Sequence, residues 1–95
     1  MLINKPLSEG DIVSIKLING DEIIARYQDE TVDNITINKP LALTVGQGGL
    51  GMIPWMFLGN KDTITLRKDQ TFVIMPSKKD AATQYLEGTT GIAIK

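Results

Sequence analysis

Alternation of apolar and polar positions is strongest over residues 12–27, where IVSIKL leads into Asn19-Gly20 and EIIARY leaves it. Two β-branched runs about an Asn-Gly pair predict a β-hairpin. A two-residue turn at Asn19-Gly20 would set Leu17 against Glu22 and Ile15 against Ile24. A three-residue loop over Asn19 to Asp21 sets Leu17 against Ile23, Ile15 against Ala25 and Val13 against Tyr27. It makes one face continuously apolar, so this register is preferred. The opposite face carries Ser14, Lys16, Ile24 and Arg26, which is mostly polar and predicts a sheet covered on one side only. An isolated hairpin buries too little to be stable in water, so further strands must pack onto it.

The alternation resumes at Asn34. Ile35, Ile37, Leu41, Leu43 and Val45 share one phase, and Thr36, Asn38, Ala42 and Thr44 the other. Pro40 interrupts this run and has no amide to donate, which predicts a bulge or an edge position there. Residues 46–51 read as a flexible Gly-rich loop; they lack the Lys-Ser/Thr of a phosphate cradle, and no amphipathic helix follows. Residues 52–58 predict a strand that is apolar on both sides, with Ile53, Trp55 and Phe57 opposed to Met52, Pro54, Met56 and Leu58. Apolar residues on both faces point to a subunit contact.

Residues 59–62 read as a turn or bulge. Residues 63–66 read as a short strand or a continuation of the previous one, 67–70 as a tight turn, and 71–75 as a last strand ended by Pro76. Ser77 with Asp80 three residues on predicts a capped helix start, and AATQYL a short helix stopped by Gly88. Its packing side would be Ala81, Ala82, Tyr85 and Leu86, and Ile92 and Ile94 could dock as an extra edge strand. The chain thus divides into an N-terminal arm (1–11), with room for a single helical turn near Leu7, a barrel (12–76), and a short C-terminal helix and tail (77–95). The expected fold class is all-β: a small, strongly bent, five-stranded antiparallel barrel with a short C-terminal helix. A partly open barrel with an unpaired edge invites edge-to-edge assembly.

Composition narrows the chemistry. Ninety-five residues make one small domain, and a chain of that length hides only about 60–65% of its surface, which oligomerisation would remedy. There is no Cys and no His, which removes thiolate nucleophiles, Cys-based zinc sites and the usual base at neutral pH. The carboxylates Asp11, Glu22, Asp62 and Asp69 show no pairing in sequence. No catalytic residue, metal or cofactor is therefore expected, and the chain does not read as an enzyme. No apolar run is long enough to span a bilayer or serve as a signal peptide, so a cytoplasmic location is expected. A net charge of −1 argues against indiscriminate binding to polyanions.

With these elements laid out, residues 10–43 resemble the first motif of the Sm and Sm-like (LSm, Hfq) proteins. Val13, Ile15 and Leu17 precede Asn19-Gly20; Ile23, Ala25 and Tyr27 follow; then come an acidic residue and Asn34 before Ile35 and Ile37. Leu66-Arg67-Lys68-Asp69 and the strand after it are similar to the second motif. The resemblance implies a bent five-stranded barrel that closes into homo-oligomeric rings of six or seven, the last strand of one subunit pairing with the fourth strand of the next. It also implies single-stranded RNA binding around a central pore. Subunit contacts would come from Trp55, Met56, Phe57, Phe72 and Ile74, and RNA contacts from Asn34, Arg67, Asp69, Lys68 and Val32. In that scheme the Asn34 amide reads a base edge, while Arg67 and Asp69 back and bracket the nucleotide.

Three positions depart from the family pattern. Val32 stands where an aromatic, His or Met is usual, Lys68 replaces a Gly, and Glu30 replaces an Asp. Shortened ends and divergent loops are similar to those of small Sm-like proteins from bacteriophages. Two readings of function follow: a non-enzymatic ring that binds single-stranded RNA weakly, or a protein-interaction or assembly module on the same ring scaffold without RNA. For the fold, SH3-type and oligonucleotide-binding barrels share the strand count, and the Arg67-Lys68-Asp69 turn favours the Sm-like reading.

Overall fold

The hairpin forms as β1 (Ile12–Leu17) and β2 (Glu22–Glu30) in the computed structural model, which describes residues 6–56, 59 and 62–89. Its register pairs Ile15 with Ile23 and Val13 with Ala25. The loop is three residues long, as expected, but comprises Ile18, Asn19 and Gly20, one position earlier than the sequence reading placed it. Gly20 is the cause. It adopts φ +98°, the left-handed position that ends such a loop and that a side chain resists. The Asn19 side-chain oxygen accepts the Asp21 N–H at 2.9 Å and fixes the turn. Pairs slide by two residues, an even number, so the inward face of Val13, Ile15, Leu17, Ile23, Ala25 and Tyr27 is unchanged.

β3 (Asn34–Gly46) runs antiparallel to β2 and is the spine of the fold. Its C-terminal half pairs with β4 (Gly49–Pro54) and its N-terminal half with β5 (Thr63–Arg67). The anticipated fourth strand is therefore split in two. It also begins earlier than residue 52, because Gly46 pairs with Gly49 across a tight turn where Gly49 takes φ +104°. The expected flexible loop over 46–51 is mostly hairpin, Trp55 and Met56 lie beyond the strand, and Phe57 and Leu58 lie outside the described residues. The switch of partner on β3 falls at a bulge. Between the pairs Ile24–Leu41 and Arg26–Asn38, β3 carries one residue more than β2, and Lys39 adopts φ +50° immediately before Pro40. Pro40 thus sits where the sheet does not need its amide.

A 3₁₀ turn (Lys68–Gln70) carries the chain across to β6 (Thr71–Pro76), which pairs with β1. The sheet order is β4-β3-β2-β1-β6 with β5 beside β3, strongly bent and not closed; among the described residues β6 on one side and β4 and β5 on the other keep an unpaired edge. Inside the bend lies the core of Val13, Ile15, Leu17, Ile23, Ala25, Tyr27, Ile35, Ile37, Leu66 and Ile74, with Leu7, Trp55 and Ile64 packed against it. Residues 6–11 form no helical turn; Gly10 donates to the Tyr27 carbonyl at 2.8 Å and ties the arm to β2.

The reading of a sheet covered on one side needs correction. Ile24 points away from the core, yet it is fully buried. Helix α1 (Lys79–Thr89) packs on that outer side. Its Tyr85 is also fully buried, with the hydroxyl donating toward the carbonyls of Asn38 and Lys39 at 2.9 and 2.8 Å. Burial pushes the Tyr85 phenol up to about 12. Lys39 Nζ reaches the Thr89 carbonyl at 3.1 Å, placing a cation at the negative end of the helix. Gly88 lies inside the helix rather than ending it, and Ser77 meets the Ser14 hydroxyl at 2.8 Å. Ile92 and Ile94 lie outside the described residues.

Candidate nucleic-acid interface

Two turns meet at one end of β3. The first, residues 31–33, joins β2 to β3 and is held by Thr31: its N–H donates to the Asn34 carbonyl at 2.8 Å, and its hydroxyl accepts the Asn34 N–H at 3.1 Å. The Asn34 side-chain amide is left with no hydrogen bond among the described residues. The second is the 3₁₀ turn after β5, whose Lys68 N–H donates to the Asp33 carbonyl at 2.7 Å. Pairing of β3 with β5 sets Asn34 directly opposite Arg67. A cleft of about 430 Å³ results, lined by Asp33, Asn34, Arg67, Lys68 and Asp69. Four of the five residues singled out for RNA contact converge here. Val32 does not line the cleft; it stands on the turn beside it, 89% exposed.

The charges of the cleft are internally matched. Arg67 Nη2 lies 2.6 Å from Asp69 Oδ2, with both side chains mostly exposed, so water screens the pair and it adds little to stability. The guanidinium plane remains available for stacking, and the Asn34 amide offers a donor and an acceptor in the same plane, as a base edge requires. Lys68, expected at an RNA contact, is instead engaged within the chain. Its Nζ lies 2.6 Å from Glu30 Oε2, with about a quarter of each side chain exposed, and Tyr27 donates to the other oxygen of Glu30 at 2.8 Å. The Lys68 hydrogen bond, reinforced by that of Tyr27 against the opposing effect of burial, lowers the Glu30 pKa; burial first, then Glu30 itself, raises that of Tyr27.

This Tyr27–Glu30–Lys68 chain was not anticipated, although a signal for it exists. Two of the three departures from the family pattern, Glu30 and Lys68, are the two halves of one ion pair, a compensation visible only once both turns are in place. Because the folded pKa of Glu30 lies below its ordinary value of 4.5, the stabilisation is fully present above that pH and is lost as pH falls through the folded value. Lys68→Met should cost about 1–2 kcal/mol near neutrality. Chemical denaturation at pH 7 and pH 3 checks this: the difference between the two chains should shrink at the lower pH.

The residues expected at subunit contacts separate. Phe72 on β6 and Met56 beyond β4 are exposed, at 69% and 52%. Ile74 is fully buried in its own core, paired with the inward Ile15, while the extra residue β6 carries at Phe72, opposite Lys16 and Leu17, turns Phe72 outward, so only the backbone of Ile74 remains for a neighbour. Trp55 is partly buried against the core. Phe57 lies outside the described residues. Met75 on β6 and Ile53 on β4 add exposed apolar surface at the same two edges.

This architecture, a strongly bent open antiparallel sheet with two turns meeting at one end of its spine, is the Sm-like fold. The structure is similar to the crystal structure of a heptameric archaeal Sm protein, with a TM-score of 0.52 and 18% sequence identity, covering 75% of this chain and 91% of that one. No protein-family model matches the sequence. No curated protein matches it either. No helix among the described residues is long and apolar enough to cross a membrane.

Proposed function

We propose that the chain is a non-enzymatic, ring-forming Sm-like protein that binds single-stranded RNA weakly, one nucleotide being held in each subunit's cleft by Asn34 and Arg67. The observation that carries this reading is the free Asn34 amide sharing one cleft with Arg67 at the junction of two turns. The similarity to a heptameric Sm protein supports head-to-tail assembly, in which the open edge of β6 pairs with the open edge of β4 and β5 on a neighbour. Phe72 and Met75 on one edge, with Ile53 and Met56 on the other, supply the apolar part of that contact. Repetition around a ring multiplies a weak pocket into useful avidity.

The cleft holds two cations and two carboxylates, so the interaction rests on stacking and base-edge hydrogen bonds more than on phosphate neutralisation. Its affinity should depend only shallowly on salt. Fluorescence anisotropy with short U-rich and A-rich RNAs at two salt concentrations tests this. Replacing Asn34 and Arg67 together by Ala should weaken binding about ten- to a hundredfold. No binding at low salt, or binding indifferent to the double replacement, removes the assigned role. The charge balance favours the second reading, an assembly module without RNA, in that event; an oligomer with no nucleic-acid affinity is its signature.

A further inference from the structure

Each cation of the polar cleft has a carboxylate partner, but the two pairs are built differently. Asp69 and Arg67 belong to one turn and lie mostly in water, where salt screens them and the pair opens readily. Glu30 reaches Lys68 from β2, outside the cleft lining, and about a quarter of each side chain is exposed, so this pair is screened far less. Glu30 is held in place. Its second oxygen accepts the Tyr27 hydroxyl at 2.8 Å, and Tyr27 is itself part of the core. Lys68 is the adaptable partner: its N–H bond to the Asp33 carbonyl fixes the backbone, while the four-carbon side chain can turn either to Glu30 or into the cleft. Among the described residues, Glu30 is the acceptor that Lys68 Nζ meets, at 2.6 Å. Together with Asp33 and Asp69 on the cleft wall, Glu30 sets three carboxylates against the two cations Arg67 and Lys68. A phosphate oxygen entering here meets a net negative surround and must take Lys68 from a carboxylate that cannot withdraw. A neutral base edge meets no such opposition.

We infer that Glu30 is a specificity-determining residue of the cleft: by holding Lys68 it withholds a cation from the sugar-phosphate backbone, so that the site selects its ligand by the base and rejects anions that carry none. The inference rests on the RNA-binding reading above and deepens it. Glu30 touches no nucleotide in this scheme; it acts through Lys68. Removing its charge while keeping its oxygen for Tyr27 frees Lys68 to meet a phosphate, which converts a base-reading site into one that also binds backbone charge.

The test titrates the full chain with a labelled hexauridylate, followed by anisotropy at several salt concentrations, with inorganic polyphosphate as an anion that lacks bases. Glu30→Gln is compared with the unaltered chain and with Asp29→Asn, which removes the same charge at the exposed neighbouring position. Glu30→Gln should bind hexauridylate about three- to tenfold more tightly at low salt, with a salt slope steeper by about 0.7 for each phosphate that a Lys68 engages. Polyphosphate should displace the RNA from Glu30→Gln but not from the unaltered chain or Asp29→Asn. Adding Lys68→Met to Glu30→Gln should remove both the gain and the extra slope. An unaltered slope in Glu30→Gln, or an equal gain in Asp29→Asn, overturns the inference and leaves the RNA-binding reading intact. Displacement of RNA from the unaltered chain by polyphosphate overturns it without any substitution. If neither the unaltered chain nor Glu30→Gln binds hexauridylate, the RNA-binding reading falls and this inference with it. Binding by Glu30→Gln alone, reversed by polyphosphate, removes RNA from the natural chain's function while upholding the hold of Glu30 on Lys68.

Discussion

Phe72→Glu is expected to convert the proposed ring into single chains of 10.4 kDa, read as a fall in mass by light scattering. Phe72 is mostly exposed in the isolated chain and lies outside the core, so the substitution leaves the fold alone and far-ultraviolet circular dichroism should be unchanged. In a β6-to-β4/β5 contact the same side chain is enclosed by a neighbour. Burying an unpaired carboxylate there costs several kcal/mol per interface, and a closed ring must meet that cost at every junction. RNA affinity should fall with the mass, by about a hundredfold or more, because separate clefts no longer share one strand. An unaltered mass would place the contact elsewhere on the molecule.

The second large effect is on stability. Tyr85→Ala should destabilise the chain by about 3–5 kcal/mol, in the range for removing a buried aromatic side chain. That is a large share of what a domain of this size possesses. Tyr85→Phe separates the two contributions. It keeps the ring packed on the outer face and removes only the hydroxyl that meets the Asn38 and Lys39 carbonyls, for about 1–2 kcal/mol. Denaturant titration checks both. The phenol's raised pKa, about 12 in the folded chain against 10.0 ordinarily, adds a pH signature. Its contribution is complete below pH 10 and is lost as pH rises through the folded value, so this alkaline component should be absent in Tyr85→Phe. A Tyr85→Ala chain as stable as the unaltered one would mean that the helix is not needed to cover Ile24.

Much of the inner face was legible because it depends on a period of two. Val13, Ile15, Leu17, Ile23, Ala25, Tyr27, Ile35 and Ile37 needed only alternation and an Asn-Gly turn to be assigned inward. What failed depends on partners remote in sequence or on backbone detail. Ile24 reads as an exposed exception on a polar face, and nothing near it announces a helix more than fifty residues away. The hairpin register turned on which loop position Gly20 fills, a matter of one dihedral angle. Ile74 and Phe72 both sit in an apolar strand, and only the bulge opposite Leu17 decides which side chain enters the core. In the candidate cleft, the two motifs singled out Asn34 and Arg67, which the pairing of β3 with β5 sets opposite each other. The Glu30–Lys68 pair joins residues on different turns, an arrangement no local pattern encodes.

If copies close into the proposed ring, the bulge at Lys39 has a consequence for how many fit in it. Edges of different kind join head to tail, so the number of subunits is set by the wedge angle between the two edges rather than by any self-matching patch. In such a ring that angle would follow the curvature of β3, which changes partner at Lys39 and Pro40 and is gripped there by Tyr85, Thr89 and the Asp62 carbonyl. In the proposed ring the outer helix would therefore act as a protractor: relaxing its grip would open or tighten the wedge and spread the population over rings of unequal size.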